Sequence, residues 1–167
     1  LDAKRKTSSR LLKLAGAAGG YAAVGGSFDV SALCDLLGAM EAAGGLPDTV
    51  LFPLNLSDQP ALAVLQGSFS QDNMASKVQL GPSWWWCDHV HGMEESFENI
   101  AAFGVLSQFI GMTTDSRSIL SFLRHDYFRQ VLCQWISEQN WGLSENELIV
   151  LIKDICYFNA KRRIDRV

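Results

Sequence analysis

Asp115 and Arg117 are the residues of this chain whose types and spacing best suit chemistry. They stand in the polar run Thr113-Thr114-Asp115-Ser116-Arg117-Ser118, directly after the apolar run Phe109-Ile110-Gly111-Met112. An aspartate just past a strand can bind a divalent metal or shuttle a proton, and an arginine two residues on can grip a carboxylate bidentately. The same spacing also suits an aspartate that caps the next helix with the arginine paired to it. Spacing alone does not separate the two.

A second group precedes it, Trp84-Trp85-Trp86-Cys87-Asp88-His89-Val90-His91. Tryptophan faces can stack on a sugar ring or anchor a core. Side chains alternate along a strand, so the three tryptophans cannot all face one site. His-x-His on a strand puts both imidazoles on one face, and Cys87 could add a thiolate to a metal. The local sequence reads instead as a loop with two solvated histidines, leading into a helix. Gly92 follows directly, and no further Cys or His cluster completes a coordination sphere. Arg124-His125-Asp126-Tyr127 puts four polar-capable residues in a row, some of which should reach inward. His125 could serve as a base or as a hydrogen-bonded helix residue.

Elements that would position these groups follow from periodicity. Val30, Leu33, Cys34, Leu37 and Met40 recur at helical spacing, with Asp29 or Ser31 as cap and Gly44-Gly45 as stop. Thr49-Val50-Leu51-Phe52 reads as a buried strand ended by Pro53, with Asn55 at its C-terminal end. Ser57 or Asp58 should cap a helix with Pro60 in its first turn. Val78-Gln79-Leu80 is the next apolar run, and a helix follows from about Met93 to Leu106. Phe109–Met112 reads as a further strand, and a helix continues through Tyr127–Ile136. Trp141-Gly142 breaks the chain, and Ser144 with Glu147 makes a capping box for a final helix. That helix ends in Lys161-Arg162-Arg163, a run that the helix C-terminus explains without a partner. Three or four strands, each followed by a helix, predict an α/β fold with parallel strands. Their C-terminal ends are where such folds keep their chemistry.

Upstream, residues 2–17 read as a helix whose basic cluster Lys4, Arg5, Lys6, Arg10 and Lys13 is a solvated face more than an anion site. The stretch Gly16–Ser27 is rich in glycine and alanine but has no phosphate-loop spacing. A short strand at Tyr21–Val24 or a loop fits it equally well. The 167 residues carry 48% hydrophobic and 19% charged side chains and a net charge of −4, so one domain with a real core is expected. Nothing in the charge draws the chain to nucleic acid or to an anionic membrane, and no apolar run is long enough to span one. Four widely spaced cysteines without a C-x-x-C pair predict reduced, mostly buried thiols in the cytoplasm.

The motifs G-x-x-W-W-x-x-D-x-x-x-G-M from Gly81, L-S-Q-F-x-G-M-x-T-D-S-R-S from Leu106 and R-H-x-Y-F-R from Arg124 resemble the C-terminal part of the uronate isomerase (glucuronate isomerase) family. The likeness extends to Leu46-Pro47, Leu54-Asn55, Ile155-Cys156-Tyr157 and Asn159-Ala160-Lys161-Arg162. It implies a metal-assisted aldose–ketose isomerase on a distorted (β/α)8 barrel of the amidohydrolase superfamily. Such enzymes interconvert D-glucuronate with D-fructuronate, and D-galacturonate with D-tagaturonate, moving a proton between C2 and C1 through an enediol. The resemblance makes Asp115 a metal ligand and proton-transfer group and Arg117 a substrate-binding arginine. It sets Trp84, Trp85 and Asp88 beside the sugar, and implies a divalent metal, zinc first.

A closed eight-stranded barrel takes about 250 residues. Residues 1–167 are therefore expected to be one unit, the last three βα units and closing helices of a barrel. The first-strand His-x-His of the family has no counterpart here, and His89 and His91 stand where the family has other residue types. Asp115 without those histidines is a poor metal site, so the isolated chain is expected to be inactive. An open half-barrel edge would pair with another chain or with the missing N-terminal half. A different outcome, a non-catalytic α/β module binding a partner or an acidic sugar, is compatible with the same residues.

Overall fold

The computed structural model describes residues 29–53, 55–70, 76–82, 87–113 and 118–165. The expected helix over 2–17 and the strand or loop at Tyr21–Val24 lie outside them. Helix α1 covers Val30–Ala42 and starts as the sequence predicts, with the Asp29 side chain accepting from the Ala32 N–H at 3.0 Å. It stops where Gly44 turns left-handed at φ +68°, a conformation costly for any residue with a Cβ. Its inward face meets Leu46, Leu65 and Val78 through Leu37, with Leu33 and Met40 packed alongside.

Strand β1 (Thr49–Leu51) is followed by a 3-10 turn at Leu56–Asp58 and helix α2 (Gln59–Ser68), and the chain returns as strand β2 (Val78–Leu80). The strands are parallel, with Thr49 opposite Val78, Val50 opposite Gln79 and Leu51 opposite Leu80. This is a βαβ unit. The expected side-chain cap from Ser57 or Asp58 is not made, because the 3-10 turn feeds directly into α2 with Pro60 in its first turn. α2 packs on β2 and on helix α3 (Val90–Phe103), which in turn packs on helix α4 (Leu123–Glu138). Gln66 of α2 is buried, and its Oε1 accepts the Leu80 N–H at 2.6 Å.

The strand expected at Phe109–Met112 is not formed, and among the described residues the sheet has two strands. The run is extended at Phe109 but reverses at Gly111, which has φ +73°. Side-chain amides take the place of a ladder. Gln79 Nε2 donates to the Gln108 carbonyl at 2.9 Å, and Asn159 Nδ2 donates to the carbonyls of Ser107 and Phe109 at 2.8 Å each.

The last helix is not continuous. α5 (Glu145–Lys153) passes into a π-helical turn at Asp154–Phe158 and then α6 (Asn159–Ile164). A π turn inserts an extra residue and shifts which side chains face inward. Here buried Ile155 and Asn159 both point at the 107–111 run. The basic run lies in the last turn of α6, as expected, and is also paired within the chain. Lys161 pairs with Asp165, Arg162 with Asp154, and Arg163 with Asp48 at 3.7 Å and with the Ser76 carbonyl. Asp48 and Ser76 precede β1 and β2, so Arg163 ties the chain end to the N-terminal edge of the sheet.

The main core is aromatic. Phe97 of α3 meets Phe109, Phe128 and Trp135 with ring centroids 6.4, 5.6 and 5.3 Å away, mostly edge-on, the arrangement favoured by ring quadrupoles. Leu62, Leu80, Met93, Ile100, Leu132 and Ile155 close around them.

The capping box forms as predicted. Glu147 accepts from the Ser144 N–H at 2.8 Å and from its hydroxyl at 2.7 Å, while Ser144 Oγ accepts the Glu147 N–H. These bonds hold the Glu147 carboxyl below its ordinary value of 4.5. A carboxyl lowered in the folded state contributes stability above its unfolded pKa and loses it as pH falls through the folded one. Acid unfolding of Glu147→Gln should therefore be flatter than that of the unsubstituted chain below pH 4.5. Superimposable acid limbs would show that the box plays no part in the pH response.

Candidate functional site at the strand tips

The parallel register brings the C-terminal ends of β1 and β2 side by side at Leu51 and Leu80. The pairing runs one residue further, because the Gly81 N–H donates to the Leu51 carbonyl at 2.7 Å. A Cβ at Gly81 would lie 2.9 Å from the Phe52 ring and 3.0 Å from that carbonyl. The first glycine of the G-x-x-W-W motif is thus required by a close approach of the two tips. The second, Gly92, sits in the first turn of α3, where a Cβ would come within 2.1 Å of the Cys87 carbonyl.

Asp88 is the one predicted site residue that the described residues contain. Its side chain is 7% exposed, and Oδ2 is paired with Nη2 of Arg124 in the first turn of α4. Its other oxygen, Oδ1, is buried and has no hydrogen-bond partner among the described residues. Trp84, Trp85, Asp115 and Arg117 lie outside the described residues, as do Trp86 and Thr114. What the structure does give is their anchorage. Gly81 and Pro82 before the tryptophans and Cys87 after them are buried, and Met112 is buried two residues before Thr114.

Gly111 lies against the last helical stretch. A Cβ there would stand 2.2 Å from the Ile155 carbonyl in the π turn. The extra residue of that turn and the glycine of the F-x-G-M motif are therefore two sides of one contact.

His89 and His91 belong to the start of α3, not to a loop. His89 caps it, with Nδ1 accepting the Gly92 N–H at 3.1 Å, and only one ring nitrogen is left over. His91 points outward toward Glu95, 3.9 Å away. Burial, then the charges of Glu95 and Asp58, push the Cys87 thiol up, which disfavours the thiolate that a metal needs. Asp58, in the 3-10 turn after β1, is itself raised by burial, against a hydrogen bond from Asn55. Among the described residues no three His, Cys, Asp or Glu side chains converge to hold a metal. The described residues do not fit the donor set of a metal site.

His125 is half-buried, and its pKa is lowered first by burial and then by Arg129, with Asp126 opposing and Arg124 adding to the effect. Its ring faces Phe122 at 6.5 Å rather than the Asp88–Arg124 pair. Of the row Arg124–Tyr127, Arg124 is the residue that reaches Asp88, while Asp126 turns out to Arg129. The four cysteines are free, but Cys34 and Cys133 are exposed, so the thiols are not mostly buried. Among the described residues no helix is long and apolar enough to cross a membrane.

Arg124, Gln79 and Asn159 carry the geometry here; Arg124 belongs to the row expected to reach inward, while the sequence alone assigned Gln79 and Asn159 no role. The available signal was a polar side chain inside an apolar run: Gln79 between Val78 and Leu80, and Asn159 beside Phe158.

Comparison with known proteins covers the chain nearly end to end. The family model described as glucuronate isomerase matches residues 1–163. The chain is 41% identical over 168 residues to the uronate isomerase of Histophilus somni, covering 97% of this chain and 36% of that protein. It is 41% identical over 167 residues to that of Haemophilus influenzae, strain PittGG, with 96% and 35% covered. For the uronate isomerase of Vibrio vulnificus, strain YJ016, the identity is 40% over 168 residues, with 97% and 35% covered. The chain thus spans about a third of the length of these relatives. With its motif glycines each fixed by a backbone approach and the match running through both tips, the chain belongs to the glucuronate isomerase family.

Proposed function

We propose that this chain is the C-terminal part of a uronate isomerase, its βα units forming the last portion of a (β/α)8 barrel in one continuous unit over residues 1–167. The observation that carries this is the unbroken similarity to uronate isomerases over 97% of the chain. The substrate would be a uronic acid, D-glucuronate or D-galacturonate, converted to D-fructuronate or D-tagaturonate. In such a step C2 loses a proton, O1 gains one, O2 gives one up, and C1 receives one. The product has the atoms of the substrate, with the carbonyl moved from C1 to C2.

In this reading Asp115 carries the proton between C2 and C1. Arg117 grips the substrate carboxylate with its planar pair of N–H donors. Trp84 and Trp85 pack against the apolar face of the sugar, and Asp88 faces its hydroxyls. The divalent metal implied by the family, zinc first, would polarise the carbonyl, and Asp115 is the ligand this chain would contribute. The histidine ligands would come from an N-terminal part that these 167 residues do not include. The free thiols suit a reducing compartment such as the cytoplasm.

The test is D-glucuronate isomerisation with added zinc or manganese, on the 167-residue chain and on a longer chain that supplies an upstream His-x-His strand. Turnover in the longer protein alone is expected. Turnover by the 167-residue chain would reveal a complete site within it. No turnover in either would replace the isomerase with a non-catalytic module that binds an acidic sugar or a partner.

A further inference from the structure

The Asp88–Arg124 pair links the residues just before α3 to the first turn of α4. Buried carboxylates are kept in folded proteins when they are paired and hydrogen-bonded. Arg124 satisfies Oδ2, but Oδ1 is buried and bare among the described residues. Leaving a buried acceptor unpaired is costly, and more so when it is charged. Such an oxygen calls for a donor supplied from elsewhere.

The chemistry of that donor follows from the charges. The guanidinium already balances the carboxylate, so a second cation is not required at Oδ1. A substrate carboxylate would be repelled there. A neutral hydroxyl fits both constraints, because it donates one proton and brings no charge. We propose that Arg124 is a positioning residue, holding Asp88 ionised and turned so that Oδ1 accepts a hydroxyl of the bound uronic acid. This rests on the uronate isomerase reading and assigns the hydroxyl end of the substrate to Asp88. The carboxylate end is thereby left to a cationic partner.

The experiment measures D-glucuronate binding by calorimetry, on the 167-residue chain and on a longer chain carrying it, for the unsubstituted protein, Arg124→Gln, Arg124→Lys, Asp88→Asn and the double variant. A lost charge-assisted hydrogen bond is worth about a tenfold to hundredfold weakening. Arg124→Gln should weaken binding at least about tenfold, and Arg124→Lys should recover part of it. The double variant should lose no more than the worse single one, because both act through one oxygen. Should Arg124→Gln not fold, Asp88→Asn alone carries the same expected loss at nearly unchanged side-chain shape. Arg124→Gln or Asp88→Asn binding within about twofold of the unsubstituted protein overturns the positioning role while leaving the isomerase reading in place. Failure of the unsubstituted protein to bind D-glucuronate in either form overturns both.

Discussion

Replacing Gly111 with alanine is expected to lower the unfolding free energy by about 3 kcal/mol or more. Two costs add. The residue sits at φ +73°, where a Cβ is disfavoured by about 1–2 kcal/mol. The new methyl would also stand 2.2 Å from the Ile155 carbonyl, and that carbonyl belongs to the backbone of the π turn, so it cannot rotate away. Forcing extra atoms into a packed region typically costs a further 1–3 kcal/mol or so. For a domain of this size the sum corresponds to a fall of about 10 °C in Tm.

Gly142 supplies the control. It has nearly the same backbone, φ +69°, but nothing lies within 4 Å of where its Cβ would be. Gly142→Ala should therefore cost only the backbone share, about 1–2 kcal/mol. Equal losses at the two positions, measured by thermal and urea unfolding, would mean that the contact with Ile155 is not what requires glycine at 111.

The same pair of elements explains which parts of the fold the sequence discloses. α1, β1 and the capping box were legible because each is set within a few residues. Asp29 caps its own helix, Gly44 ends it, and Ser144 and Glu147 bond across a single turn. The missing third strand was not legible, because Phe109–Met112 has strand composition and only its surroundings decide otherwise. Gln79 and Asn159 take the carbonyls that a neighbouring strand would have used, from 29 and 50 residues away. The π turn hides for a related reason. Leu148, Leu151, Ile152 and Ile155 keep a helical period, and the inserted residue becomes visible only when Asn159 has to face inward.

At the site, the motif residues were recognisable as a set, while the contacts that hold them were not. Asp88 stood out by its place in the motif. Its partner Arg124 lies on another element, and no local period links an aspartate just before one helix to an arginine opening another. His89 shows the reverse. His-x-His suggests a metal, but the Gly92 N–H claims one imidazole nitrogen for a helix cap, a role that needs no ligand.

Asp115→Asn is expected to reduce turnover of D-glucuronate by about three orders of magnitude in whichever form of the protein is active, the 167-residue chain or a longer chain carrying it. Positioned acid–base groups contribute about 10²–10⁴-fold, and asparagine keeps the size of aspartate while losing the ability to take a proton. Affinity for the sugar acid should change far less, so the loss should fall in kcat more than in KM. A second reading isolates the proton itself. In deuterated water an enzyme that deprotonates C2 incorporates solvent deuterium into substrate and product, and Asp115→Asn should slow that incorporation together with turnover. If turnover collapsed while deuterium still entered at the original rate, C2 would be deprotonated by another group. The contribution of Asp115 would then lie after the enediol, or in holding the metal.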